Sequence, residues 1–464
     1  MAWLVAASLA FYGHWSIDLL PVIIVSIGAN FLFALAIINY PRHAKPILVA
    51  AVAANLAALG VFKYANFAIG IFNALLPWQL QPLALTLPLG ISFLTFTQIA
   101  YLADVAVGRT HERNFMKYVL FVTYFPHLIA GPIMHHREMM PQFDRANPRL
   151  TPDRLAIGLT IFVIGLFKKV VIADFLSTIA DPVFAAASKG SLPGTDAWGG
   201  TLAYSLQIYF DFSGYCDMAI GMSHLFGIAL PFNFDAPYKA RSIVEFWRRW
   251  HITLSRFLRD YVYIPLGGNR HGAARRHCCL LATMLIGGLW HGAGFTFIVW
   301  GGLHGLYLVV NHAWRGLTRR LPMLGRAAES SAYAMASLAL TQLCVIVAWV
   351  FFRADSLPTA GRIVAVMSGL ASTTVGQPAL VSLPDFCLIA AGYAGCLILP
   401  NVNELFGNRD VALDTYRLPR PWSLVPMAWS MSVPWAGAMA ALLVVALVAI
   451  LAAGDGTPFL YFQF

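Results

Sequence analysis

Apolar runs recur along nearly the whole of this 464-residue chain, and that recurrence limits the fold more than any other feature. The runs cover residues 17–38, 47–62, 87–105, 118–130, 155–173, 203–220, 280–289, 296–310, 332–352, 386–399 and 435–451. About 20 apolar residues carry a helix across a bilayer. Several runs are shorter, which predicts tilted, re-entrant or helix-buried segments among the full crossings. Charged residues make up 11% of the chain, against roughly 25% in soluble domains. The expected architecture is an all-α polytopic integral membrane protein of roughly ten to twelve membrane helices. It is expected to form one membrane domain over residues 1–464, with no soluble domain appended.

Proline and glycine punctuate the runs. Pro88-Leu89-Gly90, Phe125-Pro126, Gly131-Pro132 and Pro265-Leu266-Gly267-Gly268 each mark an expected break or helix end. No repeat of fixed period is visible. No matching pair of interrupted helices is visible either, which counts against an inverted-repeat transporter. The N-terminus has no basic leading region and no convincing cleavage site, so a cleaved signal peptide is not expected.

The net charge of +10 is unevenly placed, so it does not read as nucleic-acid binding. Lys239, Arg241, Arg248, Arg249, Arg256, Arg259, Arg270, Arg275 and Arg276 crowd one segment. Smaller groups are Arg42/Lys45, Lys168/Lys169 and Arg315/Arg319/Arg320. The positive-inside rule puts these loops in the cytoplasm. The large cluster suits either a phosphorylated cytosolic ligand or anionic lipid headgroups. Projected at 100° per residue, segment 242–261 gathers Phe246, Trp247, Trp250, Leu254, Phe257, Leu258 and Tyr261 on one face. Arg248, Arg249, Ser255, Arg256, Arg259 and Asp260 gather on the other. This predicts an amphipathic helix at the cytoplasmic interface. His251 falls at the edge of its apolar face, near Leu258, either directed inward or capping a neighbour.

A second histidine, His291, stands in the apolar stretch Leu285-Ile286-Gly287-Gly288-Leu289-Trp290-His291-Gly292. An ionisable group at membrane depth is costly and points to function, although a buried histidine can also simply satisfy a carbonyl between helices. Trp290 beside it reads as packing or as substrate contact. His304 is thirteen residues further on. On a continuous helix that places it about 220° around from His291, although the glycines at 292, 294, 301, 302 and 305 allow a break or close helix approach; a mainly structural role is expected. The stretch 207–217 holds Asp211, Ser213, Tyr215 and Asp217 within a membrane-class segment, where such groups need partners or a water-filled cavity. A Ser213–His291–Asp211 triad has no nucleophile-elbow pattern behind it. The six cysteines are scattered without a Cys-x-x-Cys pair, and no zinc site or disulfide framework is expected. His135-His136 reads as loop, not as a metal site.

Phe246-Trp247-Arg248-Arg249-Trp250-His251, within 245–269, and Gly288-Leu289-Trp290-His291-Gly292 resemble the membrane-bound O-acyltransferase family, in particular its bacterial alginate-acetylating branch. Supporting stretches lie at 62–67, 87–93, 101–104, 125–132, 165–174, 210–215, 348–353 and the closing 461–464. Members usually carry a further hydrophobic segment before the part matching 8–15, so a misassigned start or a lost helix is expected here.

The resemblance implies a ring of helices around a tunnel, with His291 as the family's intramembrane histidine. It implies His251 as the second catalytic position, which is asparagine in many eukaryotic relatives. It implies acetyl-CoA as the cytosolic donor; separately, no metal is expected, and cofactor contacts are expected from Arg249, Arg256, Trp250 and Trp290. Asp211, Ser213 and Tyr215 are expected to line the tunnel. The implied enzyme is a multi-pass inner-membrane O-acetyltransferase acting on an extracytoplasmic polysaccharide, with an extracytoplasmic hydrolase-like partner finishing the transfer. Peptidoglycan O-acetylation and teichoic-acid D-alanylation are the alternatives within the family. Outside it stand a transporter or flippase, and a scaffold for a polysaccharide synthase.

Acyl transfer from a thioester needs a base for the attacking hydroxyl, and histidine can take that proton near neutral pH. It also needs donors for the oxyanion. His251 is expected to orient the thioester, donate to the oxyanion or relay a proton.

Overall fold

The computed structural model describes residues 1–144, 150–190, 192–371, 379–407, 409–413, 424–453 and 459–460. The family-like stretch 461–464 lies outside them. The regular elements among the described residues are all helices, without a strand. Five of their helices are long and apolar enough to cross a membrane: Ile17–Asn39, Pro41–Leu75, Pro152–Lys189, Ser331–Arg353 and Val433–Ala453. Ile91–Ala106, Leu357–Met367 and Leu383–Ile398 are shorter apolar helices. The chain divides into two compact units, residues 1–159 with 219–231 and residues 160–218 with 232–464.

In the first unit, polar side chains tie apolar helices together where apolar packing alone gives little preference in lipid. Asn30 on Leu20–Asn39 and Asn55 on Ala44–Leu59 exchange amide hydrogen bonds of 3.1 and 2.6 Å. Gln98 on Ile91–Ala106 donates to Ser26 Oγ at 3.1 Å and accepts from the Tyr118 hydroxyl at 3.1 Å. The Pro88-Leu89-Gly90 signal is a real helix start, with Gly90 at φ 68°. The run 118–130 is not one helix. Phe115–Thr123 stops at Tyr124 and a single turn follows from Phe125 to Leu128. Pro126 within that turn restricts the residue before it and cannot continue the previous ladder. Of His135-His136, the first lies in loop as expected and the second opens the short helix His136–Met139. Both are buried, and His136 Nδ1 lies 3.4 Å from Asp104 Oδ2.

The second unit is built on Gly194–Leu225 as far as residue 218, a hairpin of Gly272–His291 and Phe295–Arg320, and Ser331–Arg353. Trp250, Trp300, Trp349, Tyr204 and Tyr238 are fully buried in its core. The hairpin helices extend well beyond the apolar runs 280–289 and 296–310. Their outer turns carry Arg275, Arg276, Arg315, Arg319 and Arg320, so apolar periodicity alone stops short of the true ends.

Candidate active site

The site begins with two polar residues in an apolar loop, Asn233 and Asp235 between Pro231 and Ala236. The Asp235 N–H donates to the Arg249 carbonyl at 2.9 Å, and the Ile252 N–H to the Asn233 carbonyl at 3.0 Å. Both bonds draw backbone groups away from a continuous helical ladder. Arg249 locks the arrangement, with Nη1 2.9 Å from Asp235 Oδ2 and Nε 3.0 Å from Glu245 Oε1. Segment 242–261 is therefore not the single amphipathic helix its periodicity predicts. It forms Ile243–Arg249, capped by the Ser242 side chain, then Ile252–Leu258 and a π-helical turn Arg259–Tyr263.

His251 occupies the break at φ 44° and ψ 54°. A non-glycine residue enters this left-handed region at a cost on the order of 1–3 kcal/mol, and stays there only where its surroundings hold it. Asn233 does the holding. Its Oδ1 accepts from the Thr253 N–H at 3.2 Å and the Thr253 hydroxyl at 2.9 Å, and lies 3.1 Å from His251 Nδ1. A backbone N–H only donates, so the amide atom facing it is the oxygen. An oxygen only accepts, so this network assigns the His251 proton to Nδ1. The Nε2 of the neutral ring is then its proton-accepting side. Asn233 Nδ2 reaches Cys216 Sγ at 3.3 Å, and Phe212 meets the His251 ring edge-on at 4.8 Å. Phe212 and Cys216 are one helical turn apart on Gly194–Leu225 and share a face.

His291 is the last residue of Gly272–His291. Gly292 and Gly294 are extended and lead into Phe295–Arg320. The two arms touch backbone to backbone. A side chain at Gly288 would strike the Phe297 carbonyl, and one at Gly301 the Met284 carbonyl. This packing accompanies a separation of 6.3 Å between the ring centroids of His291 and His251, with the planes at 58°. Trp290, Trp300 and Phe352 surround the His291 ring at 4.9, 5.1 and 5.2 Å. His251 is fully buried and His291 is 4% exposed.

The extended turn also removes the premise that set His304 on the far side from His291. The Trp300 ring lies 5.1 Å from His291 and 4.9 Å from His304. Trp247 Nε1–H donates to His304 Nδ1 at 3.2 Å, so the proton of a neutral His304 is on Nε2.

Arg248, Arg256, Arg259 and His312 line a cavity of about 350 Å³ together with Trp247, Ile252 and Tyr263. Two of its walls also back the histidines, since Trp247 binds His304 and Ile252 follows His251. Of the four arginines the helical projection put outward, two are exposed and two are buried. Arg249 is buried and held by Asp235 and Glu245, whereas Arg248 and Arg259 are exposed at the cavity. Arg256 is buried yet reaches the cavity wall. Trp250 is a core residue, 4.9 Å from the rings of both Phe234 and Trp349. Trp290 lies beside both histidines, its ring 6.3 Å from that of His251.

The acidic stretch on Gly194–Leu225 has its own partners. Asp211 pairs with Lys169 at 2.8 Å and accepts the Leu460 N–H at 3.2 Å, while Asp217 pairs with Lys168 at 2.6 Å. Tyr215 packs edge-on against Phe459 at 5.0 Å, and Ser213 is buried. From this helix, Phe212 and Cys216 contact the His251–Asn233 pair. Sequence reasoning missed Asn233 and Trp300. The alternation Phe232-Asn233-Phe234-Asp235 was the available signal, because two polar groups among aromatic residues in an apolar loop need partners.

The model of the MBOAT, membrane-bound O-acyltransferase family matches residues 105–352. The chain is 46% identical over 396 residues to the peptidoglycan O-acetyltransferase of Helicobacter pylori, covering 79% of this chain and 73% of that protein. It is 40% identical over 474 residues to a probable alginate O-acetylase of Pseudomonas putida, covering 99% of this chain and 94% of that protein. A teichoic acid D-alanyltransferase of Streptococcus thermophilus is 31% identical over 238 residues, covering 49% of this chain and 57% of that protein.

Proposed function

Since this chain belongs to the membrane-bound O-acyltransferase family and is a multi-pass membrane acyltransferase, we propose that it moves acetyl groups from cytosolic acetyl-CoA to an extracytoplasmic polysaccharide, alginate or a similar exopolysaccharide. The observation that supports this most is the buried pair His251 and His291, 6.3 Å apart, next to a cavity lined by Arg248, Arg256 and Arg259.

In this reading the arginines receive the phosphates of the donor and the thioester reaches toward the histidines. His291 takes the proton of the attacking hydroxyl, a contribution of typically 10²–10⁴-fold. His251 presents an acceptor nitrogen at Nε2, which suits relaying that proton and orienting the reacting group better than donating to the oxyanion. The aromatic enclosure by Trp290, Trp300 and Phe352 limits water and with it thioester hydrolysis.

The proposal includes a location in the cell inner membrane, with residues 1–464 acting as one membrane domain. It includes a ring of ten to twelve membrane-embedded helices around a tunnel, in which the shorter apolar helices take part. It also includes an extracytoplasmic hydrolase-like partner that receives the acetyl group.

A second acceptor, peptidoglycan, is favoured by the 46% identity to the Helicobacter pylori protein. Coverage of 99% of this chain and 94% of the Pseudomonas putida protein favours the exopolysaccharide. The test is ester-linked acetate in both polymers, measured in parent, deletion and His291→Ala strains. Acetate lost from exopolysaccharide alone in both mutants is the expected result. Loss from peptidoglycan alone moves the acceptor, and normal acetylation in His291→Ala at normal expression overturns the role of His291.

A further inference from the structure

We propose that Trp300 and His304 supply the N–H donors that hold the acyl carbonyl oxygen during transfer. The inference rests on acyl transfer at His291. It answers a need the two site histidines leave open, because a neutral His251 directs its one N–H at Asn233 Oδ1. Donors for the developing oxyanion must then come from elsewhere, and such donors are often the largest single contribution to the rate.

Two are present near the site: the Trp300 ring lies 5.1 Å from His291, and His304 lies 4.9 Å from Trp300. Trp300 is 1% exposed and His304 is not exposed at all. Trp300 Nε1–H has no hydrogen-bond acceptor among the described residues, and neither has His304 Nε2. The Trp247 N–H bound at His304 Nδ1 obliges a neutral His304 to carry its proton on Nε2. Both groups are therefore buried donors awaiting an acceptor. Buried polar groups are paired in roughly nine cases out of ten or more, so an exception calls for an explanation, and a bound acceptor is one.

The two residues stand one turn apart on Phe295–Arg320, hence on one face, with ring centroids 4.9 Å apart. Neither ring is loose. Phe246 stacks on His304 at 6.1 Å with 6° between the planes, and Trp349 stacks on Trp300 at 5.9 Å with 21°. Fixed donors of this kind need no reorganisation as charge develops. The chemistry they fit is a thioester or ester carbonyl oxygen, an acceptor without a proton of its own.

The step balances as follows. The acceptor hydroxyl oxygen bonds to the thioester carbon and its proton passes to the His291 imidazole. The carbonyl π pair moves onto oxygen, where Trp300 Nε1–H and His304 Nε2–H hold it. The carbonyl then re-forms, the C–S bond breaks, and the leaving sulfur takes the proton back from the imidazolium.

The test uses the full chain in membrane vesicles from its native host, with release of coenzyme A thiol from acetyl-CoA as the readout. Trp300→Phe keeps the ring and removes the N–H. His304→Asn keeps an acceptor for Trp247 but does not reach the Nε2 position, whereas His304→Gln can place an amide N–H there. Trp300→Phe and His304→Asn are expected to lower kcat by about 10²–10³-fold, with KM for acetyl-CoA within about twofold. His304→Gln is expected to recover at least about tenfold of that loss. Detergent-extracted protein is run on fluorescence-detected size exclusion to confirm folding.

Parental kcat in Trp300→Phe overturns the inference. So does an equal loss in His304→Asn and His304→Gln together with a lowered thermal midpoint, the mark of a purely structural residue. His291→Ala separates the two levels. If it is inactive while Trp300→Phe is normal, only this inference fails. If it releases thiol at the parental rate, or the parent releases none, the acyl-transfer reading fails and this inference with it.

Discussion

Replacing Asn233 by alanine isolates the contact that sets up His251. The Asn233 Oδ1 receives three donors, from His251 Nδ1 at 3.1 Å, the Thr253 N–H at 3.2 Å and the Thr253 hydroxyl at 2.9 Å. All three residues are buried. At about 1 kcal/mol net per bond, alanine costs about 3 kcal/mol, and more if the donors stay dry and unsatisfied. The left-handed backbone of His251 also loses the group that holds it, so its strain, on the order of 1–3 kcal/mol, favours relaxation of the break. The chemical consequence is larger than the stability loss. Without the oxygen, nothing at that position keeps the proton on Nδ1, and the ring can turn or change tautomer. Loss of properly placed proton transfer costs about 10²–10⁴-fold, so acetylation should fall at least about 10²-fold. Asn233→Asp keeps an accepting oxygen and should fall much less. The measurements are ester acetate on the exported polysaccharide and the thermal midpoint of the detergent-extracted protein. Full acetylation and an unchanged midpoint in Asn233→Ala would refute the reasoning. An aspartate variant as inactive as alanine, at equal expression, would show that the amide matters for something other than its acceptor oxygen.

Three further outcomes are expected. Arg248→Glu with Arg259→Glu reverses two exposed cations at the cavity and should raise the KM for acetyl-CoA about tenfold. The rise should shrink with added salt, since exposed charge is screened over about 8 Å at physiological ionic strength; an unchanged KM would assign these arginines to lipid or topology. Gly301→Val forces a side chain against the Met284 carbonyl, which should separate the hairpin arms, cost about 1–3 kcal/mol and lower the thermal midpoint together with acetylation. Lys169→Met leaves Asp211 and Asp174 without their shared cation and should destabilise by about 3–5 kcal/mol, read as lost monodisperse protein on size exclusion. Lys169→Met with Asp211→Leu should recover part of that loss.

The sequence and the structure part company where a residue's partner is distant in the chain. Helix content was legible because apolar periodicity is a local signal, and the helices at 17–39, 331–353 and 433–453 fall where their apolar runs lie. His251 and His291 were legible as candidates because each stands out against its immediate neighbours. The break at His251 was not, since nothing within 242–261 forbids a continuous helix. The cause is Asn233 and Asp235, which pair with the backbone on either side of it. Once the break forms, the projection that put Arg249 on a polar face no longer applies. Arg249 turns into the buried pair with Asp235, while Arg248 and Arg259, projected onto the same polar face, stay exposed at the cavity. The same argument recovers His304. Its calculated angle from His291 assumed one helix, and the extended backbone at Gly292 and Gly294 cancels that assumption. In both places a departure from helical periodicity accompanies the histidine geometry. The residues proposed to carry the function are therefore those for which a helical wheel is least informative, and a polar residue isolated in an apolar loop, such as Asn233, is the better guide to where the wheel fails.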